Sequence, residues 1–202
     1  MSFEAFVAAL VVVVGTWTGT WYPEGKGPET QAQEQARRVM IVEEVSGEAL
    51  RNDTMFRAAD AAAAVLMVWK HETRLDYYVH AGQMSPIGSQ DLGLARCLGQ
   101  IQWWPGHRYL TQHEHRALAG LSREATRRCA HMTLRYLWAH ADRCIRLEEG
   151  KRSSVDRWDA KLTLEEVAVV SASYGKWRCV PAKKRHRTRA VTFESLRRQL
   201  EK

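Results

Sequence analysis

The chain has 202 residues, 45% of them hydrophobic and 26% charged, enough for one globular domain with a real core plus tails and too little for two comfortable domains. That composition excludes disordered and collagen-like classes, and no internal period marks a repeat protein. The formal charge of +7 and a pI near 9.4 favour an anionic partner, whether cell-wall polymer, membrane surface or nucleic acid.

Residues 1–22 carry an apolar run from Phe3 to Val14, broken only by Glu4, and end in Trp17, Trp21 and Tyr22. With no positively charged start and no small-residue cleavage site, residues 3–22 read as an uncleaved membrane anchor with interfacial aromatics rather than a removed signal. Val11 to Val14 is β-branched and the run is short for a full span, so a buried strand is the competing reading.

Residues 23–52 form a linker, Pro23 to Pro28, followed by a helix from Gln31 to Val45 that Gly47 is expected to stop. A second helix, from about Asp53 to Leu75, passes through the alanine-rich stretch Ala58 to Ala64 and then Val65, Leu66, Val68 and Trp69, and reads as central and buried. From Asp76 to Gly106, seven glycines or prolines interrupt any helical period, as in irregular structure or short strands where a site can be built. Ser122 is placed to cap a long helix with Cys129, Met132, Tyr136 and Leu137 among its apolar positions, closed by Gly150. Thr163 with Glu166 forms a capping box flanked by Leu162 and Val167, predicting a helix with Val167, Val170 and Tyr174 on one stripe and a stop at Gly175.

Residues 181–202 hold Lys183, Lys184, Arg185, His186, Arg187 and Arg189 and read as a solvated basic tail. Without interleaved aromatics or a zinc or helix-turn-helix signature, no specific nucleic-acid partner is expected. Cys97, Cys129, Cys144 and Cys179 lack the CxxC spacing of a metal site, and neither metal nor cofactor is called for. If residues 123 to 147 are one helix, Cys129 and Cys144 lie about 22 Å apart by helical rise, against the roughly 6 Å a disulfide spans. Two bridges would then each join that helix to Cys97 or Cys179; four reduced, buried thiols are the other reading.

Glu72 follows Trp69 by three residues and Val68 by four, so a helix projects it from their apolar face. Desolvation on such a face favours the protonated form of a carboxyl, as a general acid requires. The ordinary alternative is a helix-end glutamate paired with Lys70, His71 or Arg74.

Three separated motifs support the catalytic reading. Glu72-Thr73 is similar to a Glu-Ser pair at the end of a buried helix. Ser85-Pro86-Ile87-Gly88-Ser89 with Leu98-Gly99-Gln100-Ile101 is similar to a Ser-Pro-x-Gly-Ala turn and a Gly-Leu-Met-Gln-Ile segment. Ala172-Ser173-Tyr174-Gly175 is similar to an Ala-Tyr-Asn motif. In this order, over roughly residues 55 to 180, the chain resembles the soluble-type lytic transglycosylases of the lysozyme superfamily. It departs from their pattern at Cys97 and Gly99, in an insertion around Gln90 to Arg96, and in lacking the asparagine.

The resemblance implies a mainly α, lysozyme-like α+β domain over residues 53–180, with a central buried helix and a small irregular or β segment beside the cleft. It also implies peptidoglycan glycan strands as substrate and a place in the cell envelope or periplasm. Glu72 would protonate the glycosidic oxygen between N-acetylmuramic acid and N-acetylglucosamine, then act as base while the muramic 6-hydroxyl closes a 1,6-anhydro ring. Thr73, Gln100, Ile101 and Tyr174 would contact or position the sugar. A hydrolytic muramidase would instead want a second carboxylate to hold water, with Asp76 and Asp91 as candidates. Trp103 and Trp104 suit a sugar-stacking wall or core packing equally. An inactive wall-binding or nucleic-acid-binding module is the alternative of another class.

Overall fold

The computed structural model describes residues 2–17, 22, 27–52, 56–84, 95–103, 105, 107 and 110–148, with backbone alone over 142–148, and the positions 167, 170, 171, 174, 193, 197 and 198. The fold is mainly α-helical, with one two-stranded sheet among the described residues.

Helix α1 (Phe3–Gly15) starts where the Ser2 hydroxyl accepts from the Ala5 amide at 3.2 Å. Its Phe6, Leu10 and Val14 recur every four residues and are buried against protein, so the β-branched run is helical and the strand reading is corrected. Thirteen residues rise about 20 Å, against the roughly 30 Å of a bilayer core. No helix among the described residues is long and apolar enough to cross a membrane. The last carbonyls of α1 are satisfied by the buried Arg38 guanidinium, which donates to Val14 at 3.0 Å and Gly15 at 3.3 Å, and beyond the helix to Trp17 at 2.6 Å.

Helix α2 (Gln31–Arg51) opens on a reciprocal cap between Thr30 and Gln33. It runs through Gly47, where a stop was expected. Burial of Val45, Ser46, Glu48 and Ala49 outweighs the roughly 1 kcal/mol that an interior glycine costs relative to alanine. α1 and the helices Ala58–Thr73 and Arg123–Glu148 all pack on α2.

Helix α3 (Ala58–Thr73) is the central helix. Every residue from Asp60 to Trp69 is buried, and its alanines let neighbouring backbones approach on all sides. It begins at Ala58, not near Asp53, because Phe56 and Arg57 precede the helix. It ends without glycine: Arg74 and Leu75 take left-handed φ values of 52° and 57°. Arg37 stabilises this reversal by donating to the Leu75 carbonyl at 2.9 Å while paired with Glu29 at 2.8 Å.

The segment expected to be irregular contains a short helix, α4 (Tyr77–Ala81), capped by Asp76. Its strands β1 (Ala95–Arg96) and β2 (Ile101–Gln102) pair antiparallel with Ala95 opposite Gln102. Helix α5 (Gln112–Arg116) was not anticipated, although Thr111 and Glu114 form a complete capping box. Helix α6 (Arg123–Glu148) starts as read from the sequence, with the Ser122 hydroxyl accepting from Ala125 at 3.2 Å.

Val167, Val170 and Tyr174 are buried, in line with the predicted stripe, while Thr163, Glu166 and Gly150 lie outside the described residues. Beyond residue 181 the tail reading is corrected at two positions. Phe193 is fully buried, and Arg197 pairs with the buried Asp60 at 2.7 Å and stands over the Phe6 ring.

Candidate functional site

Glu72 sits half-buried in the last turn of α3, on the side of Val68 and Trp69, which are completely buried. That turn is fixed from both directions. The Trp69 indole N–H donates to the Thr133 hydroxyl of α6 at 3.0 Å, and that hydroxyl donates to the Cys129 carbonyl at 2.9 Å. The buried Thr73 hydroxyl donates back to the Trp69 carbonyl at 2.9 Å and lies 3.5 Å from the Leu98 carbonyl. Thr73 is thus a support for its neighbour Glu72 rather than a group presented to a ligand.

Residues 97–100 form a tight turn between β1 and β2, with Cys97 and Gln100 at φ values of 56° and 51°, a region that L side chains seldom occupy. The turn is bound to α6 by the disulfide Cys97–Cys129, one of the pairings left open by the helical-rise argument; Cys144 and Cys179 lie outside the described side chains. Gly99 is required there for space, since a Cβ would stand 2.4 Å from the Thr133 hydroxyl and 3.2 Å from the Trp69 indole nitrogen. The turn therefore lies directly on the α3–α6 contact that carries Glu72.

Gln100 follows, half-buried, with its amide N–H bonded to the Cys97 carbonyl at 3.0 Å. Ile101 is buried, and its carbonyl accepts from His115 Nε2 at 2.8 Å, which fixes the proton on that nitrogen because a carbonyl can only accept. Burial foremost lowers the His115 pKa, so the ring is neutral. Ile101 is placed as structure beneath Gln100.

Tyr174 reaches the same turn from far along the chain. Its buried hydroxyl donates to the Gly99 carbonyl at 2.9 Å. Burial, then the charge of Glu72, then Tyr136 raise its pKa far above the usual phenol value, while a hydrogen bond with Thr133 acts the other way. The phenol is therefore neutral. Tyr136, one turn beyond Thr133 on α6, is hydrogen-bonded to His107 Nε2. Burial, with His115 and Arg135 nearby, lowers the His107 pKa, so this imidazole is neutral too.

The structure thus brings Glu72, Thr73, Gln100, Ile101 and Tyr174 around one turn. Sequence reasoning missed Thr133 and His107 and took Tyr136 for a plain core position. The available signal was the spacing Cys129, Thr133, Tyr136, which puts a sulfur, a hydroxyl and a phenol on neighbouring turns of one helix face.

Other candidates fall elsewhere. Asp76 is buried as the cap of α4, accepting from the Val79 amide at 3.0 Å and from the Tyr22 hydroxyl at 2.8 Å. Trp103 is tied by its indole N–H to the Leu110 carbonyl at 3.0 Å and packs partly on the core. Ser85 to Ser89, Asp91, Trp104, Ala172, Ser173, Gly175 and the basic run 183–189 lie outside the described residues.

Among the described residues no group of three or more His, Cys, Asp or Glu side chains could hold a metal ion. What this region offers chemically is one half-buried carboxyl, a neutral phenol, an amide and a neutral histidine–tyrosine pair. Comparisons of the chain with protein-family models, with curated proteins and with solved structures give no match in any of the three.

Proposed function

We propose that this protein is a peptidoglycan lytic transglycosylase with a lysozyme-like catalytic domain, in which Glu72 is the single acid/base. One observation carries the reading: residues of the three motifs, far apart in sequence, meet at one turn, where Tyr174 bonds the Gly99 carbonyl at 2.9 Å and Thr73, next to Glu72, lies 3.5 Å from the Leu98 carbonyl. Their convergence is what a shared site requires.

In the proposed reaction Glu72 donates its proton to the glycosidic oxygen of the MurNAc–GlcNAc bond as the bond to the anomeric carbon breaks. It then takes the proton of the muramic 6-hydroxyl as that oxygen closes on the same carbon, giving a 1,6-anhydro end. The substrate supplies its own nucleophile, so one carboxylate suffices. Gln100 is assigned to hydrogen-bond the sugar. Tyr174, kept neutral, sets the turn and avoids a second negative charge beside Glu72. Thr73 and Ile101 act through the residues they support. A hydrolase would need a second carboxylate to hold water; of the two candidates Asp76 is committed to the α4 cap and to Tyr22, and Asp91 lies outside the described residues. The substrate places the protein's work in the cell envelope.

Mass spectrometry of fragments released from purified peptidoglycan tests the reading. Wild-type protein is expected to release anhydro-muramic ends, and Glu72→Gln to lose about 100- to 10,000-fold in rate while remaining folded. Reducing ends would transfer the assignment to a hydrolase. Absence of release by folded wild-type protein would leave a binding module.

A further inference from the structure

A cavity of about 560 Å³ lies between α5, α6 and the end of α2, and Glu72 is not among its lining residues. Its volume is that of small-molecule sites, which span roughly 300–1,000 Å³. The floor is apolar, made by the buried side chains of Leu110, Leu118 and Met132. The rim is cationic: Arg127, Arg128 and Arg135 rise from one side of α6, with His113 and His131 beside them.

Two carboxylates border the cavity, and both are committed to the protein. Glu48 accepts from His131 at 2.8 Å, from Arg51 at 2.7 Å and from the Asn52 amide at 2.6 Å. Glu114 turns back on its own cap, accepting from the Thr111 amide and hydroxyl at 2.8 Å each. Arg128, by contrast, engages Glu124 through Nε, so its two Nη groups remain donors at the rim. An apolar floor under surplus cationic donors matches a ligand with an apolar body and one anionic end.

We infer that this cavity is a second binding site, separate from Glu72, for a small organic carboxylate whose apolar body rests on Leu110, Leu118 and Met132 and whose carboxylate faces Arg128. The inference does not depend on the glycan-cleaving reading.

The probe is 1-naphthoate, titrated into the full chain by calorimetry and by methionine-methyl NMR, with neutral 1-naphthamide as control. Saturable one-to-one binding is expected at a Kd of about 1 mM or below, with the Met132 methyl resonance shifted. Arg128→Gln should weaken it about tenfold, the worth of one charge-assisted hydrogen bond, and naphthamide should bind no better to wild-type protein. Glu72→Gln should leave the affinity unchanged. Lack of saturation, equal binding of the amide, shifts confined to other methionines, or unchanged affinity in Arg128→Gln would each overturn the inference. Arg128 is half-exposed, with 53% of its side chain accessible, so its substitution tests binding rather than folding.

Discussion

Helix α6 is held on two flanks by opposite kinds of bond. Toward α3, α4 and the 97–100 turn the bonds are uncharged and buried: Trp69 to Thr133, His80 to the Thr126 hydroxyl at 2.8 Å, and the Cys97–Cys129 disulfide. Toward α2 they are ionic and partly solvated: Arg123 reaches both Glu43 and Glu44, and Arg127 reaches Glu44. On the neutral flank each group has few partners and little room, so geometry is specified. On the ionic flank partners are shared and screened by water, so one can substitute for another. The candidate site sits on the specified flank.

The largest expected difference between the flanks is in their response to pH. Burial foremost, with Arg37 nearby, lowers the His80 pKa from 6.5 to about 3. Unfolded chain therefore binds more protons than folded chain between those values, and stability falls as pH drops from 6.5 toward 3, by about 1.4 kcal/mol per unit. Glu48 responds in a different window. Burial pushes its pKa up, but hydrogen bonds from His131 and Arg51 outweigh this and bring it to about 2 from 4.5, so its contribution is lost only as pH falls from 4.5 to 2. Denaturant melts at pH 7, 6 and 5 should show a declining stability in wild-type protein and a flatter profile in His80→Gln. An equal slope in both would remove His80 as the source.

Next in size is the disulfide. Replacing Cys97 and Cys129 together by alanine opens a bridge spanning 32 residues of chain and should cost about 3–4 kcal/mol in chemical denaturation. Glycan cleavage should fall with it, because the turn under Gln100 loses its covalent tie to α6. Gly99→Ala should cost about 2–3 kcal/mol, since its methyl group would overlap Thr133; a Tm equal to wild type would show that the turn can shift away. Smallest is Arg123→Ala on the ionic flank. Arg127 still holds Glu44, and a thermal melt should not separate the variant from wild type at physiological salt.

Much of the fold was legible because its signals are local. The alanine-rich run with Val65 to Trp69 reads as a helix buried all round, and Ser122 reads as the start of α6, from neighbours within a few residues. Misreadings arose where packing overrode local preference. Gly47 continues α2 because its neighbours are buried, and the valines of α1 stay helical because Phe6, Leu10 and Val14 find α2 and α3. Asp76 and Glu72 look alike as carboxylates near a helix end, yet one is buried as a cap and the other is half-buried in the last turn of α3.

The sequence by itself determined which segments are helical along most of their length, that α3 is central, and that Glu72 leaves it from an apolar face. Only the tertiary structure decided that Cys97 pairs with Cys129, that Cys97 and Gln100 adopt left-handed φ, and that Thr73 and Ile101 turn inward as supports. The reason is the range of the forces involved. Helical periodicity and caps are set by residues within about four positions, whereas a disulfide, a glycine's close approach and a tyrosine's carbonyl partner come from residues 32 to 75 positions away, which no local pattern encodes.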